Sequence, residues 1–252
     1  MTIHFVGAGP GAADLITVRA SRMLASADVV VYPGTYLDAE VLSHCREDVV
    51  LVDSQRLDLD EIMRVLITSH QVGHTVVRLT SGDPSLYSAL AEQVRRLDEA
   101  DVPWDVTPGV PAYAAAAAAL GRELTVPEVT QSVVLTRAQA RSTAMPETEA
   151  LADFAATRAT LVLHLAITRT RELAAELSQH YGADCPVAVV SRASQPEELV
   201  LRGTLGDIGG LVEEAGLTQA AVILVGPALD PGRVHPDFAC SHLYDPARER
   251  PA

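Results

Sequence analysis

Ser81-Gly82-Asp83-Pro84-Ser85-Leu86-Tyr87 is the stretch on which the reading of this 252-residue chain turns. Ahead of it runs His74-Thr75-Val76-Val77-Arg78-Leu79, a β-branched segment that reads as a buried parallel strand. Behind it, Leu86, Leu90, Val94 and Leu97 fall at helical spacing. The stretch is therefore a strand-to-helix turn at the carboxyl end of a strand. In an open α/β sheet that edge is where ligands bind. Gly82 permits a tight turn or a close approach of backbone to ligand. Asp83 and Ser85 can accept hydrogen bonds from the first helical amides or from a ligand. An Asp-Pro turn that only caps a helix accounts for the same residues. Three further glycine or proline turns at strand ends of the same half, at 7–11, 33–34 and 107–112, weigh against that reading.

The alternation extends outward from there. Residues 3–6 form a short strand, followed by Gly7-Ala8-Gly9-Pro10-Gly11. Asp14 to Thr17 is expected to open a helix with Leu15, Val18 and Leu24 on its apolar face. Strands are expected at 27–32, 49–52 and 103–106. Asp58 with Glu61 three residues on has the form of a capping box. The alanines at 114–119 read as a closely packed helix. It leads to a linker near 121–126. The second half repeats the layout, with strands at 131–136, 159–165, 186–190, 198–202 and 220–225. Leu173 and Leu177 mark one helix, with Gly182 as its C-cap. Leu205, Ile208, Leu211 and Val212 mark another. The turn between 190 and 198 is too short for a helix, so those two strands are expected to pair antiparallel. The expected fold class is α/β, with two α/β domains of mostly parallel sheet. The domains are placed at 1–120 and 121–244, followed by a loose tail at 245–252.

Bulk properties narrow the function classes. No apolar run reaches the roughly 18 residues that span a bilayer. Met1-Thr2 passes straight into a strand, so no signal peptide is expected. Cys45, Cys185 and Cys240 are sparse and odd in number, which suits a reducing cytoplasm and argues against a disulfide framework or a zinc site. A net charge of −14 argues against nucleic acid as partner. A membrane partner is not expected either.

Gly7-Ala8-Gly9-Pro10-Gly11-Ala12 satisfies the dinucleotide-binding pattern. Pro10, however, removes an amide that a pyrophosphate would use. Asp28 has the spacing of the ribose-binding acid but stands before its strand rather than after it. The loop is better read as a bare backbone wall whose amides face a carboxylate-bearing substrate, or as a turn with no ligand. No metalloprotease, nucleophile-elbow or phosphate-loop pattern occurs. No metal ligands are assigned. His164 reads as a core histidine. Arg137 and Arg141, after a strand end, can pair with carboxylates or simply face solvent. Tyr36, Asp53, Glu128 and Arg192 sit at strand ends or turns and are candidates of the same kind. No general acid or base can be named. Many strand-end turns without a nucleophile suit a reaction run by positioning two reactants, such as methyl transfer from a sulfonium.

These pieces together resemble a known family. The loop at 7–11, Ser-Gly-Asp-Pro at 81–84, Thr-Pro-Gly at 107–109 and Leu-Thr-Val-Pro-Glu at 124–128 are similar to the motifs of the tetrapyrrole methylases. These are class III S-adenosylmethionine-dependent methyltransferases of cobalamin and sirohaem synthesis. Residues 124–131, 134–137, 145–147 and 228–231 resemble the branch that methylates C11 of precorrin-4 or of cobalt-precorrin-4. The resemblance implies two α/β domains, usually a homodimer, with S-adenosyl-L-methionine between the domains. It implies cofactor contacts at Pro10, Ser81, Gly82, Asp83, Leu86, Tyr87, Pro111, Ala112, Leu165 and Ala193. Pro111 stands where relatives often have threonine, so a hydroxyl contact there is absent. The polycarboxylate substrate is assigned Gly9, Gly11, Arg137 and Arg141. Three alternatives stay open: methylation at another ring carbon, a nicotinamide oxidoreductase, and a module that senses the cofactor without turnover.

Overall fold

The computed structural model describes residues 1–34, 37–138, 144–230 and 232. Its first unit comprises Met1–Ala115 with Arg192–Pro196, and its second comprises Ala116–Ser191 with the segment beginning at Glu197. The sequence places a single cut at 120/121. The structure returns a five-residue segment from far along the chain to the first unit.

In the first unit, β1 (Ile3–Gly7), β2 (Val29–Tyr32), β3 (Val50–Asp53), β4 (Val76–Thr80) and β5 (Trp104–Thr107) form one sheet in the order β3-β2-β4-β1-β5. Every ladder in it is parallel. The five residues of β4 are all buried, as an interior parallel strand requires. At the edge, β3 leaves Val50 and Leu51 exposed. α1 (Val18–Ser26) packs Ala20 and Leu24 with Val6, Val30 and Leu79 on one face. α2 (Leu59–Gln71) and α3 (Leu90–Glu99) pack Ile62, Leu66 and Leu97 with Phe5, Val31 and Val76 on the other.

That arrangement positions the site. The chain leaves β1 over one face toward β2 and leaves β4 over the opposite face toward β5. Adjacent strands whose connections depart in opposite directions leave a crevice at their carboxyl ends, which is the switch point of a doubly wound sheet. The glycine loop and the Gly-Asp-Pro turn are the two segments that emerge there.

α4 (Ala112–Leu120) carries the chain into the second unit. There β6 (Val133–Arg137), α5 (Leu151–Ala156), β7 (Thr160–His164), α6 (Thr170–Tyr181), β8 (Pro186–Ser191), β9 (Leu199–Thr204), α7 (Ile208–Glu214) and β10 (Ala221–Val225) follow. The sheet order is β6-β7-β10-β8-β9. The core packs α6 and α7 against the sheet through Leu173, Leu177, Ile208 and Val212.

Mostly parallel sheets hold for the first unit and for the ladders taken together. The second sheet departs from that expectation. Only β6–β7 is parallel, and β10 runs antiparallel to both β7 and β8. The β8–β9 pair is antiparallel as its short turn requires. The path of β10 was not legible, because Ala221–Val225 is apolar throughout and a strand buried on both faces reads the same in either direction.

Three helix starts also differ. Residues 13–15 form a 3-10 turn, and α1 begins only at Val18, with the Thr17 hydroxyl accepting from the Ala20 amide. Val18 is 66% exposed, so it is not on the apolar face. Leu86 precedes α3, and Leu205 precedes α7 while still joining the core. The capping box forms as read: Glu61 N donates to Asp58 at 2.8 Å, and Asp58 N donates to Glu61 at 2.9 Å. Gly182 caps α6 at φ 84°.

Candidate active site

Three glycines let three turns meet backbone to backbone at the carboxyl edge of the first sheet. A Cβ on Gly109 would stand 2.2 Å from the Gly82 carbonyl oxygen, and one on Gly7 would stand 2.5 Å from the Gly109 nitrogen. Both are impossible contacts, so a side chain at either position would force the turns apart. Gly9 and Gly82 exchange hydrogen bonds: Gly82 N donates to Gly9 O at 2.7 Å, and Gly9 N to Gly82 O at 3.2 Å. Both have positive φ, 81° and 68°, a region open to glycine without steric penalty.

Asp83 joins the second turn to the third. Its Oδ2 accepts from the Gly109 amide at 2.8 Å, and its Oδ1 accepts from the Ser85 amide at 2.8 Å and from the Ser85 hydroxyl. Desolvation alone would raise its pKa. The three hydrogen bonds outweigh it and hold the carboxyl below its ordinary value. Of the two partners open to Asp83 and Ser85, the first helical amides or a ligand, the first is not used, since α3 starts later and Ala89 at its N-cap makes no side-chain bond. Asp83 is a clamp whose two oxygens are both committed.

A fourth segment closes on the glycine loop. Ala12 N donates to Ser194 Oγ at 3.1 Å, and Gln195 Nε2 donates to Pro10 O at 3.4 Å. A Cβ on Gly11 would collide with the Gln195 side chain at 2.3 Å. Ala193 thereby joins the unit that carries Pro10. Nothing in the local sequence around 192–196 marks this docking.

The sites expected from the sequence now have places. Pro10, Gly82, Asp83, Pro111, Ala112 and Ala193 all lie in the first unit, with Ser81, Leu86 and Tyr87 on the same turn as Gly82. A Cβ on Gly82 would meet Ala112 N at 3.6 Å and Pro111 Cα at 3.7 Å, so these three residues face one another. Tyr87 is 46% exposed and left-handed at φ 54°. Leu165 follows β7 in the second unit, exposed and left-handed at φ 52°. Gly9 and Gly11 are buried, as is the whole loop from 7 to 11. The bare-wall reading is therefore corrected in part: the amides of Ala8 and Gly9 are already donated, to Thr80 O and Gly82 O. Arg137 ends β6 and donates to Ala144 O at 3.3 Å. Arg141 and Tyr36 lie outside the described residues. Asp53 accepts from the Gln55 amide, and Glu128 and Arg192 hold positive φ. In His164, burial lowers the pKa, so the ring is neutral near pH 7.

Asp28 removes the basis of the dinucleotide reading. It accepts from Thr75 N at 2.7 Å and pairs with Arg46 at 3.1 Å, at the amino end of β2. A ribose at the carboxyl edge is out of its reach. Among the described residues, no group of three or more His, Cys, Asp or Glu is arranged to hold a metal ion.

A sulfonium cofactor fits the chemistry of this lining. Segments 7–12, 81–87, 107–112 and 192–196 hold only Asp83, Tyr87 and Arg192 as ionisable groups and contain no thiol or lysine. They offer no soft nucleophile to consume an activated methyl group. Cys185 lies in the core of the second unit, where burial pushes its thiol up to about 11.

Comparison with known proteins agrees with this geometry. The description "Tetrapyrrole (Corrin/Porphyrin) Methylases" matches residues 2–209. The precorrin-4 C(11)-methyltransferase of Rhodococcus erythropolis is 53% identical over 250 residues, covering 99% of each chain. The crystal structure of a cobalt precorrin-4 methyltransferase superposes with a TM-score of 0.88 at 36% identity, covering 91% of this chain and 96% of that one. A uroporphyrin-III C-methyltransferase from Thermus thermophilus, solved with S-adenosyl homocysteine, gives 0.76 at 28%, covering 92% and 94%. With its glycine turns assembled at the switch point and its sequence matched over most of its length, this chain belongs to the tetrapyrrole (corrin/porphyrin) methylases.

Proposed function

We propose that this chain transfers the methyl group of S-adenosyl-L-methionine to C11 of precorrin-4, or of cobalt-precorrin-4, in cobalamin biosynthesis. The end-to-end identity of 53% with the Rhodococcus erythropolis relative carries this reading. Bound at the site, the cofactor supplies an electrophilic methyl on a cationic sulfur that departs neutral. The residues of this chain have the remaining work of binding and alignment. Pro10, Gly82, Leu86, Tyr87, Pro111, Ala112 and Ala193, with Ser81, shape the cofactor's bed largely through backbone, and Leu165 is assigned to the cofactor by family resemblance. Asp83 acts through the Gly109 amide to keep two of those turns in register. The buried loop at 7–11 keeps water from its side of the site. Substrate carboxylates fall to Arg137 and Arg141, while Gly9 and Gly11 offer shape, Gly9 having given its amide to Gly82. The same reading takes the chain to act as a homodimer in the cytoplasm.

The test is incubation of the purified chain with precorrin-4 and cofactor labelled with 13C in the methyl group. One label at C11 by NMR is expected. Label on another ring carbon, or no transfer, overturns the reading. Replacing Arg137 and Arg141 together by alanine should weaken substrate binding, and unchanged affinity removes them from the site. Light scattering should return twice the 26.7 kDa of one chain.

A further inference from the structure

We infer that Arg78 and Gln93 are positioning residues that hold the cofactor turn in its working conformation. This inference rests on the reading that the turn at 81–87 binds the cofactor. Arg78 lies in the middle of β4 and is 8% exposed. Its Nε donates to Gln93 Oε1 at 3.2 Å, and its Nη1 donates to Ser54 Oγ at 2.9 Å and Val31 O at 3.4 Å. None of these partners is an anion. Burial lowers its pKa to about 10, so it remains a cation at neutral pH. A buried cation without a counter-ion among the described residues is a poor way to fill a core, and an apolar side chain would pack there at less cost.

The cation does one thing that an apolar residue cannot. It fixes the amide of Gln93, itself 2% exposed, with the oxygen turned toward the guanidinium. The Gln93 Nε2 is thereby aimed the other way, donating to Ala89 O at 3.2 Å and Ser88 O at 3.4 Å. Those carbonyls belong to the segment just after the Gly-Asp-Pro turn, where Tyr87 and Ala89 are both left-handed at φ 54° and 55°. Non-glycine residues hold that conformation only where their surroundings impose it. Gln93 imposes it from below, and Arg78 decides which way Gln93 points.

Gln93→Glu separates positioning from mere support. The new carboxylate pairs with Arg78 but turns an acceptor toward the two carbonyls. The expected result is a melting temperature equal to or above that of the parent, with calorimetric affinity for S-adenosylmethionine at least tenfold weaker. KM for the cofactor should rise more than kcat falls. Gln93→Leu should lose both stability and affinity. Parent-like affinity in Gln93→Glu, affinity that falls only in step with melting temperature in both variants, or a Gln93→Glu chain that does not fold overturns the inference. Asp83→Ala is the reference. Normal cofactor binding by Asp83→Ala means that the turn is not the cofactor site. Weakened binding by Asp83→Ala beside parent-like Gln93→Glu means that only the role of Arg78 and Gln93 has failed.

Discussion

The Asp83 carboxylate accepts the amide of Gly109 at 2.8 Å across 26 residues of sequence. Two strand-end turns that have no local reason to meet are held together by this bond. A hydrogen bond to a charged acceptor contributes about 1.5–3 kcal/mol. Asp83→Ala should therefore destabilise the chain by about 2 kcal/mol. It should also weaken S-adenosylmethionine binding well beyond the effect of an alanine on the surface. Urea denaturation and calorimetry together check this. A variant that is less stable yet binds normally would take the turn at 81–87 out of the cofactor site.

The contact between glycines makes a steric prediction. Gly109→Ala and Gly7→Ala place a methyl within 2.2–2.5 Å of backbone atoms that cannot move aside. Overpacking of a tight interior costs about 1–3 kcal/mol, and more where backbone must shift. Both variants should express poorly or melt far below the parent. Gly210→Ala in α7 is the matching control, because nothing lies within 4 Å of its added Cβ. There the gain in helix propensity should raise stability by about 0.5–1 kcal/mol.

Asp83 also sets a pH dependence. Its carboxyl titrates below the ordinary value in the folded chain. The stability it contributes is present in full above the unfolded pKa of about 4 and is lost as pH falls through the folded value. Between pH 7 and 5 the parent and Asp83→Asn should keep a constant difference in melting temperature. Below pH 4 the two curves should converge. Convergence beginning near neutral pH would mean that another group is responsible.

Ser194 is the hinge pin of the late segment. Its hydroxyl accepts from the Ala12 amide at 3.1 Å. Ser194→Ala removes the neutral hydrogen bond from the Ala12 amide, worth about 1 kcal/mol. Since Ala193 is its neighbour, cofactor affinity should fall several-fold while the far-UV circular dichroism spectrum is unchanged. Parent affinity in this variant would take the segment at 192–196 out of the cofactor site.

The turns at 7–11, 81–87 and 107–112 were legible because glycine, proline and aspartate after a β-branched run state their own local geometry. Two other features were not. Ser194 and Gln195 look like any polar loop, and their link to Pro10 and Ala12 is made only by folding. Arg78 left a visible trace, a charge inside an apolar strand, but the trace names no partner. Gln93 sits on a helix where a polar residue is unremarkable until its burial is known.

By itself the sequence determined the elements and the family. Periodicity and turn chemistry are local properties, and they marked strand, turn and helix along most of the chain. The tertiary structure alone decided which turns touch, which way β10 runs, and that Asp83 serves Gly109 rather than a helix end. Those outcomes depend on strand order. The order β3-β2-β4-β1-β5 puts β1 beside β4 and brings their loops to one edge, a long-range choice set by packing both faces of the sheet at once.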